Sequence, residues 1–168
     1  MNIFVLRHGT AAERNPHRYP NDADRPLVEE GERKTRKAAK AMKALDVSFG
    51  KILSSPYKRA RQTAEIVAEG RGCSEGMELC DALSPEGDSR GVVAAIKRIH
   101  PVPKEILLVG HEPNLSELIS FLISGNAGAS VLMKKGGLCK LNCHSLHAGP
   151  CATLEWLLTS KQLSLIAD

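Results

Sequence analysis

Short runs of consecutive apolar residues alternate along the chain with longer segments in which apolar positions recur every three or four residues. Residues 2–6 (NIFVL) and 105–110 (EILLVG) are continuous apolar runs of strand length, the pattern of strands covered on both faces in a parallel sheet. A weaker run, GKILSS at 50–55, sits between two helical segments. Residues 27–45 predict a helix, because Ala38, Ala41, Met42 and Leu45 fall at i, i+3, i+4, i+7 while Arg33, Arg36, Lys37, Lys40 and Lys43 lie largely off that stripe. Such a basic run is ordinarily a solvated helix face, and only secondarily a surface for an acidic partner.

A second helix is expected to open at Ser55-Pro56, with Ser55 as its cap, Pro56 in its first position, and Ala60, Thr63, Ala64 and Val67 facing inward. A third covers 88–99, and a fourth follows Pro113 with Leu115, Leu118, Ile119 and Leu122 as its core stripe. Near the end, GLCKLNCHSL and ATLEWLLT on either side of HAGPC predict a hairpin or two neighbouring strands. The recurring order of strand then helix predicts an α/β fold, a three-layer α/β/α sandwich with a mostly parallel central sheet. At 168 residues the chain suits one domain, 1–168, with one substantial core. Its longest polar segments are the loops at 10–26 and 70–88.

Composition narrows the function. A net charge of +4 with 4% aromatics supplies neither a polyanion-binding balance nor base-stacking platforms, which argues against a nucleic-acid partner. The opening MNIFVLRHG has no positive flank, and its apolar run is too short for a secretory signal or a membrane span, so a cytoplasmic protein without a membrane partner is expected. Five cysteines, Cys73, Cys80, Cys139, Cys143 and Cys151, are an odd number without an export signal and predict reduced thiols. The run Cys139-x3-Cys143-His144-x2-His147-x3-Cys151 has the composition of a metal cluster. It lacks the C-x2-C knuckle, however, and the alternation of Cys139, Leu141 and Cys143 fits one buried strand face, so no metal is expected.

The chemistry gathers where the apolar runs end. In open α/β sheets ligands bind outside the carboxyl ends of the strands. The first run ends in Arg7-His8-Gly9, the second leads through Ser54-Ser55-Pro56 to Arg59, and the third ends in Gly110-His111-Glu112-Pro113. Two arginines, two histidines and the N–H groups of helix starts make a site for a compact dianion, of which phosphate is the natural example. The chain has no P-loop lysine, glycine-rich nucleotide cradle or carboxylate cluster for magnesium, which leaves cofactor-free phosphoryl transfer with histidine as nucleophile. Arg18, in the loop expected to border the site, is a further candidate for substrate contact, whereas His17 and His100 lie in polar or turn-like surroundings.

RHG at 7–9, SPYKRARQTA at 55–64 and GH at 110–111 together resemble the histidine phosphatase superfamily, also called phosphoglycerate-mutase-like. Within it, the short chain, ADRPL at 23–27, LSPEGD at 83–88 and WLLTSKQL at 156–163 resemble the SixA-type phosphohistidine phosphatases. The resemblance implies the phosphoglycerate-mutase-like fold and makes His8 the phosphate acceptor. Arg7, Arg59 and His111 become the rest of the phosphate pocket. It also implies, as partner, a phosphohistidine-bearing phosphotransfer protein or a small phosphorylated substrate.

One departure stands out. SixA-type sequences often carry an acidic residue just after RHG, where this chain has Thr10; Glu13, Glu86, Asp88 and Glu112 are the candidate replacements as proton donor. A phosphohistidine demands less of such an acid, since an imidazole with a pKa near ~6.5 leaves more readily than an alkoxide. The chain also lacks room for long insertions that would enclose a small substrate. Two alternatives stay open: a phosphatase for small phosphomonoesters, and a regulatory module that binds phosphohistidine without turning it over.

Overall fold

In the first strand, β1 (Asn2–Arg7), successive side chains go to opposite sides of the sheet: Ile3 and Val5 join one core, Phe4 and Leu6 the other. A run buried on both faces has no polar side to show, which is why it reads as continuously apolar. The same division holds in β4 (Glu105–Gly110), with Ile106 and Leu108 on one side and Leu107 and Val109 on the other. The computed structural model describes residues 1–72 and 76–167. Cys73, one of the thiols expected to be reduced, lies outside the described residues; Cys80, Cys139, Cys143 and Cys151 are free and buried.

The remaining elements are α1 (Glu29–Ala44), β2 (Lys51–Ser54), α2 (Lys58–Arg71), β3 (Met77–Leu79), α3 (Ser89–Arg98), α4 (Asn114–Ser124), β5 (Leu138–Cys143), β6 (Ala152–Leu158) and α5 (Ser160–Ala167). The sheet runs β3-β2-β4-β1-β5-β6, with β1 to β4 parallel and the β5–β6 hairpin antiparallel. One face carries α3 and α4 through Val92, Val93, Ile96 and the Leu115, Leu118, Ile119, Leu122 stripe. The other carries α1, α2 and α5 through Ala38, Ala41, Met42, Ala60, Ala64, Val67 and Leu163. This is the expected three-layer sandwich. Cys139, Leu141 and Cys143 lie together in the α3/α4-side core, and among the described residues no group of His, Cys, Asp or Glu is placed to hold a metal ion. Nor is any described helix long and apolar enough to cross a membrane.

Two local expectations change, and one helix, α5, has no counterpart in the predicted elements. The segment 70–88 contains β3 and a 3-10 turn at Asp81–Leu83; β3 is a three-residue edge strand with Glu78 and Leu79 exposed, too short to show a period. α5 follows β6 after a single residue and buries only Leu163 fully, so it leaves no apolar stripe. Helix α2 starts at Lys58, with Tyr57 before it and no side-chain cap, so Pro56 precedes the helix. Ser55 is instead fully buried at the end of β2, where its hydroxyl accepts from the Tyr57 backbone N–H at 3.2 Å and meets His111.

Candidate active site

The ends of β1, β2 and β4 lie side by side, and the residues just past them share one cavity of about 390 Å³. Arg7, His8, Arg59 and His111 all line it. His8 is 6% exposed, Arg59 4% and His111 2%, so these polar side chains form a floor rather than a rim. Burying three such groups together, with Arg7 half-buried beside them, is costly unless something compensates. Arg7 Nε, Arg59 Nε and His111 Nδ1 are buried without a hydrogen-bond partner, which leaves donor capacity for an anion's oxygens.

Backbone bonds fix the floor from three distant segments. His8 N–H donates to the Gly110 carbonyl at 3.1 Å, beyond the last β1–β4 pair. Arg7 N–H donates to the Gly137 carbonyl, and Gly136 N–H returns bonds to the carbonyls of Arg7 and His8 at 3.2 and 3.1 Å. The Arg7 guanidinium is tethered by Nη1 to the Met133 carbonyl at 2.7 Å. The Gly9 N–H donates to Thr63 Oγ1 at 3.1 Å, and that hydroxyl donates to the Arg59 carbonyl, tying the β1 end to the first turns of α2. Gly31 of α1 completes the packing: a Cβ there would stand 2.0 Å from the Thr10 carbonyl oxygen, so only glycine lets α1 approach the loop after β1.

His8 Nδ1 lies 2.7 Å from the carbonyl oxygen of Gly9. A carbonyl can only accept, so Nδ1 carries the proton and Nε2 presents its lone pair. Burial, joined by the charges of Arg59, Arg7 and Lys135, pushes the His8 pKa down to about 3 against the Gly9 bond, so the ring is neutral at ordinary pH. His111 Nε2 meets Ser55 Oγ at 2.9 Å, and burial, with His8 and Arg59, pushes its pKa down to about 2. Tyr57 packs edge-on against His111, with ring centroids 5.1 Å apart, and lies under the Arg59 guanidinium at the same distance.

The carboxylates sort clearly. Glu13 and Arg18 are exposed on the 10–26 loop and do not line the cavity. Asp88 is committed elsewhere: as the cap of α3, it accepts from the Gly91 N–H at 2.9 Å. Glu86 and Glu112 do line the cavity. Glu86 accepts from the Tyr57 hydroxyl at 3.1 Å, and Glu112 accepts from the Ser116 backbone N–H and, at 2.5 Å, from its hydroxyl. Burial raises the Glu112 carboxyl above its ordinary value, opposed by Ser116 and the Arg7 charge.

A third carboxylate, Asp22, carries no signal in the sequence beyond its place next to ADRPL. It sits on a 3-10 turn at Asp22–Asp24 and lines the cavity. Its Oδ1 accepts from Arg25 Nε at 2.7 Å, its Oδ2 from Arg59 Nη2 at 2.9 Å, and its carbonyl from Arg59 Nη1 at 2.8 Å. Burial alone would raise the Asp22 pKa, but the Arg25 bond and the charges of Arg59 and Arg25 outweigh it and hold the carboxyl below its ordinary value. Arg14, Arg25 and Lys135 also line the cavity, and Arg14 and Lys135 are exposed at its rim.

With a neutral imidazole lone pair beside the buried Arg59 and half-buried Arg7 guanidiniums, the site can accept a tetrahedral dianion and offer it a nucleophile. Residues 3–84 match the sequence profile of the Histidine phosphatase superfamily (branch 1). The chain is 36% identical over 139 residues to an uncharacterized protein of Picosynechococcus sp., covering 82% of each. It is 30% identical over 146 residues to the phosphohistidine phosphatase SixA of Escherichia coli, covering 82% of this chain and 88% of that protein. The solved structure of the protein histidine phosphatase SixA complexed with tungstate superposes with a TM-score of 0.84 at 26% identity, covering 97% of this chain and 99% of that one.

Proposed function

The chain belongs to the histidine phosphatase superfamily and is a phosphatase, and from that premise we propose that it removes phosphate from a phosphohistidine displayed on another protein, through a phosphate held covalently on His8. On this reading residues 1–168 form one such domain, since the β5–β6 hairpin continues the sheet that β1 begins. Four buried free thiols suit a reducing setting such as the cytoplasm.

His8 Nε2 attacks phosphorus while Arg7, Arg59 and His111 hold the equatorial oxygens. The bond to the leaving group breaks, and water later hydrolyses the phospho-His8 intermediate. Neighbouring positive charge and burial keep His8 unprotonated for the attack.

The observation that carries the choice of substrate is the state of the carboxylates. Asp22, Glu86 and Glu112 are the three that line the cavity among the described residues, and each already accepts hydrogen bonds from protein donors. A leaving group that brings its own proton, such as the imidazole of a phosphohistidine, suits such a site better than an alkoxide, which needs a dedicated acid. The exposed rim at Arg14 and Lys135 suits a substrate presented by a second protein.

The test is chemical. Enzyme quenched rapidly during turnover of a phosphohistidine-bearing phosphotransfer domain carries phosphate that is labile in acid and stable in base, and His8→Ala carries none. Label persisting in His8→Ala overturns the mechanism.

A second reading, hydrolysis of small phosphomonoesters, is favoured by one feature: Glu112 lines the cavity, and burial raises its carboxyl above its ordinary value, the direction a general acid needs. Catalytic efficiency on the phosphotransfer domain and on a panel of sugar and nucleotide phosphates separates the two. A preference of orders of magnitude for an ester selects the second reading.

A further inference from the structure

Asp22 is held in place from three sides. Asn21 caps its turn, accepting from the Ala23 N–H at 3.1 Å, and Arg25 and Arg59 grip its two carboxylate oxygens. A carboxylate offers about four lone-pair positions, so two further hydrogen bonds remain open to it. The side chain is 36% exposed and lines the cavity whose floor is the 6% exposed His8. A phosphoryl group attacked from that floor projects its leaving group toward the mouth, where Asp22 stands. Arg59 links the two groups: Nη1 and Nη2 are spent on Asp22, while Nε is buried without a partner in the same cavity.

Resting on the phosphohistidine reading above, we propose that Asp22 selects the leaving group: its carboxylate accepts a hydrogen bond from the free ring N–H of the substrate's phosphoimidazole and thereby favours departure of a group that brings its own proton. In the balanced step the His8 Nε2 lone pair forms the new P–N bond. The electron pair of the breaking P–N bond returns to the substrate's ring nitrogen. The other ring nitrogen carries a proton taken from solvent, the ring being a phosphoimidazolium that the Asp22 carboxylate favours, so neutral imidazole leaves and Asp22 remains a carboxylate throughout. An anionic leaving group in the same place meets a like charge instead.

The carboxylate is thus a positioning and selecting group rather than an acid. The charged and titratable groups that act on it are Arg25 on its own segment, Arg59 and Tyr57 from the α2 side, and His111 from the end of β4; both arginines favour its charged form.

The experiment compares catalytic efficiency of the full-length enzyme on a phosphohistidine-bearing phosphotransfer domain and on p-nitrophenyl phosphate, whose leaving group departs without needing a proton. Wild type, Asp22→Asn and Asp22→Glu are assayed between about pH 5.5 and about pH 8.5, spanning the ordinary imidazole pKa. In Asp22→Asn the ratio of the two efficiencies falls by about 10- to 100-fold near the top of this range, the scale of a lost charge-assisted hydrogen bond, and recovers toward the bottom, where solvent protonates the ring. Asp22→Glu keeps the wild-type ratio even where its absolute rates fall. An equal loss on both substrates at every pH overturns the proposal and reduces Asp22 to a holder of Arg59. A wild-type enzyme that ignores the phosphohistidine but hydrolyses the ester overturns the substrate reading itself, before any variant is compared, and this proposal with it.

Discussion

The rings of His8 and His111 stand with centroids 4.9 Å apart and planes at 53°, both buried. A proton on one ring raises the cost of a proton on the other, and both already face Arg7 and Arg59. The pair is therefore neutral in the native state through the range where ordinary histidines titrate.

This has a stability consequence with a definite sign. Between the depressed native pKa values, about 3 and about 2, and the unfolded value near 6.5, the unfolded chain binds more protons than the folded one. Stability then rises with pH in that window and is lost as pH falls below about 6.5, by up to roughly 1.4 kcal/mol per pH unit for each histidine. Urea unfolding of wild type and His111→Gln from about pH 7.5 to about pH 4.5 checks it, and the variant has the shallower slope.

Arg59 spends two guanidinium nitrogens on Asp22. Arg59→Ala removes a buried guanidinium that would hold a phosphoryl oxygen and lowers kcat/KM by about 10²- to 10³-fold, as for single electrostatic donors elsewhere. Arg59→Lys restores little, because one ammonium cannot span Asp22 and a ligand at once. Steady-state kinetics with both variants decides this, and full activity in Arg59→Lys counts against the spanning role.

Gly31→Ala places a methyl group 2.0 Å from the Thr10 carbonyl oxygen. Because that contact is with backbone on both sides, α1 or the loop after β1 has to shift, at a cost of about 1–3 kcal/mol typical of overpacking. Thermal unfolding reads the loss, and phosphate affinity falls with it because the same loop begins at Gly9.

The cysteines near the chain's end are predicted to be inert. Burial pushes the Cys139 thiol up to about 12 and the Cys143 thiol, beside Cys151, up to about 11. Since thiolate is the reactive form, the native enzyme at about pH 8 takes up little iodoacetamide at these two positions, and denaturant exposes them. Mass spectrometry of labelled peptides checks both states.

The parts legible in the sequence are those with a period or an ordered motif. β1 and β4 show themselves because both faces are buried, and α1 and α4 because one face is. Arg7, His8, Arg59 and His111 are legible because each follows an apolar run at the same end of a sheet, and the structure brings all four to one cavity. Asp22, Lys135 and Ser55 are not. Asp22 and Lys135 reach the cavity from irregular segments, where no repeat ties position to direction. Ser55 has the sequence pattern of a helix cap and is diverted to His111 because β2 ends there. Asp88 shows the converse: a carboxylate near the motif in sequence spends itself on α3.

The bonds from Gly110, Gly136 and Gly137 to Arg7 and His8 also bear on synthesis. The nucleophilic segment is made before the segments that fix its backbone, and two of those three lie more than a hundred residues downstream. A nascent chain ending before Gly136 can form helices but holds no finished anion pocket. Activity therefore arrives only once Gly136 and Gly137 have been made, and a fragment stopped before them is expected to be inert however much of the motif it contains.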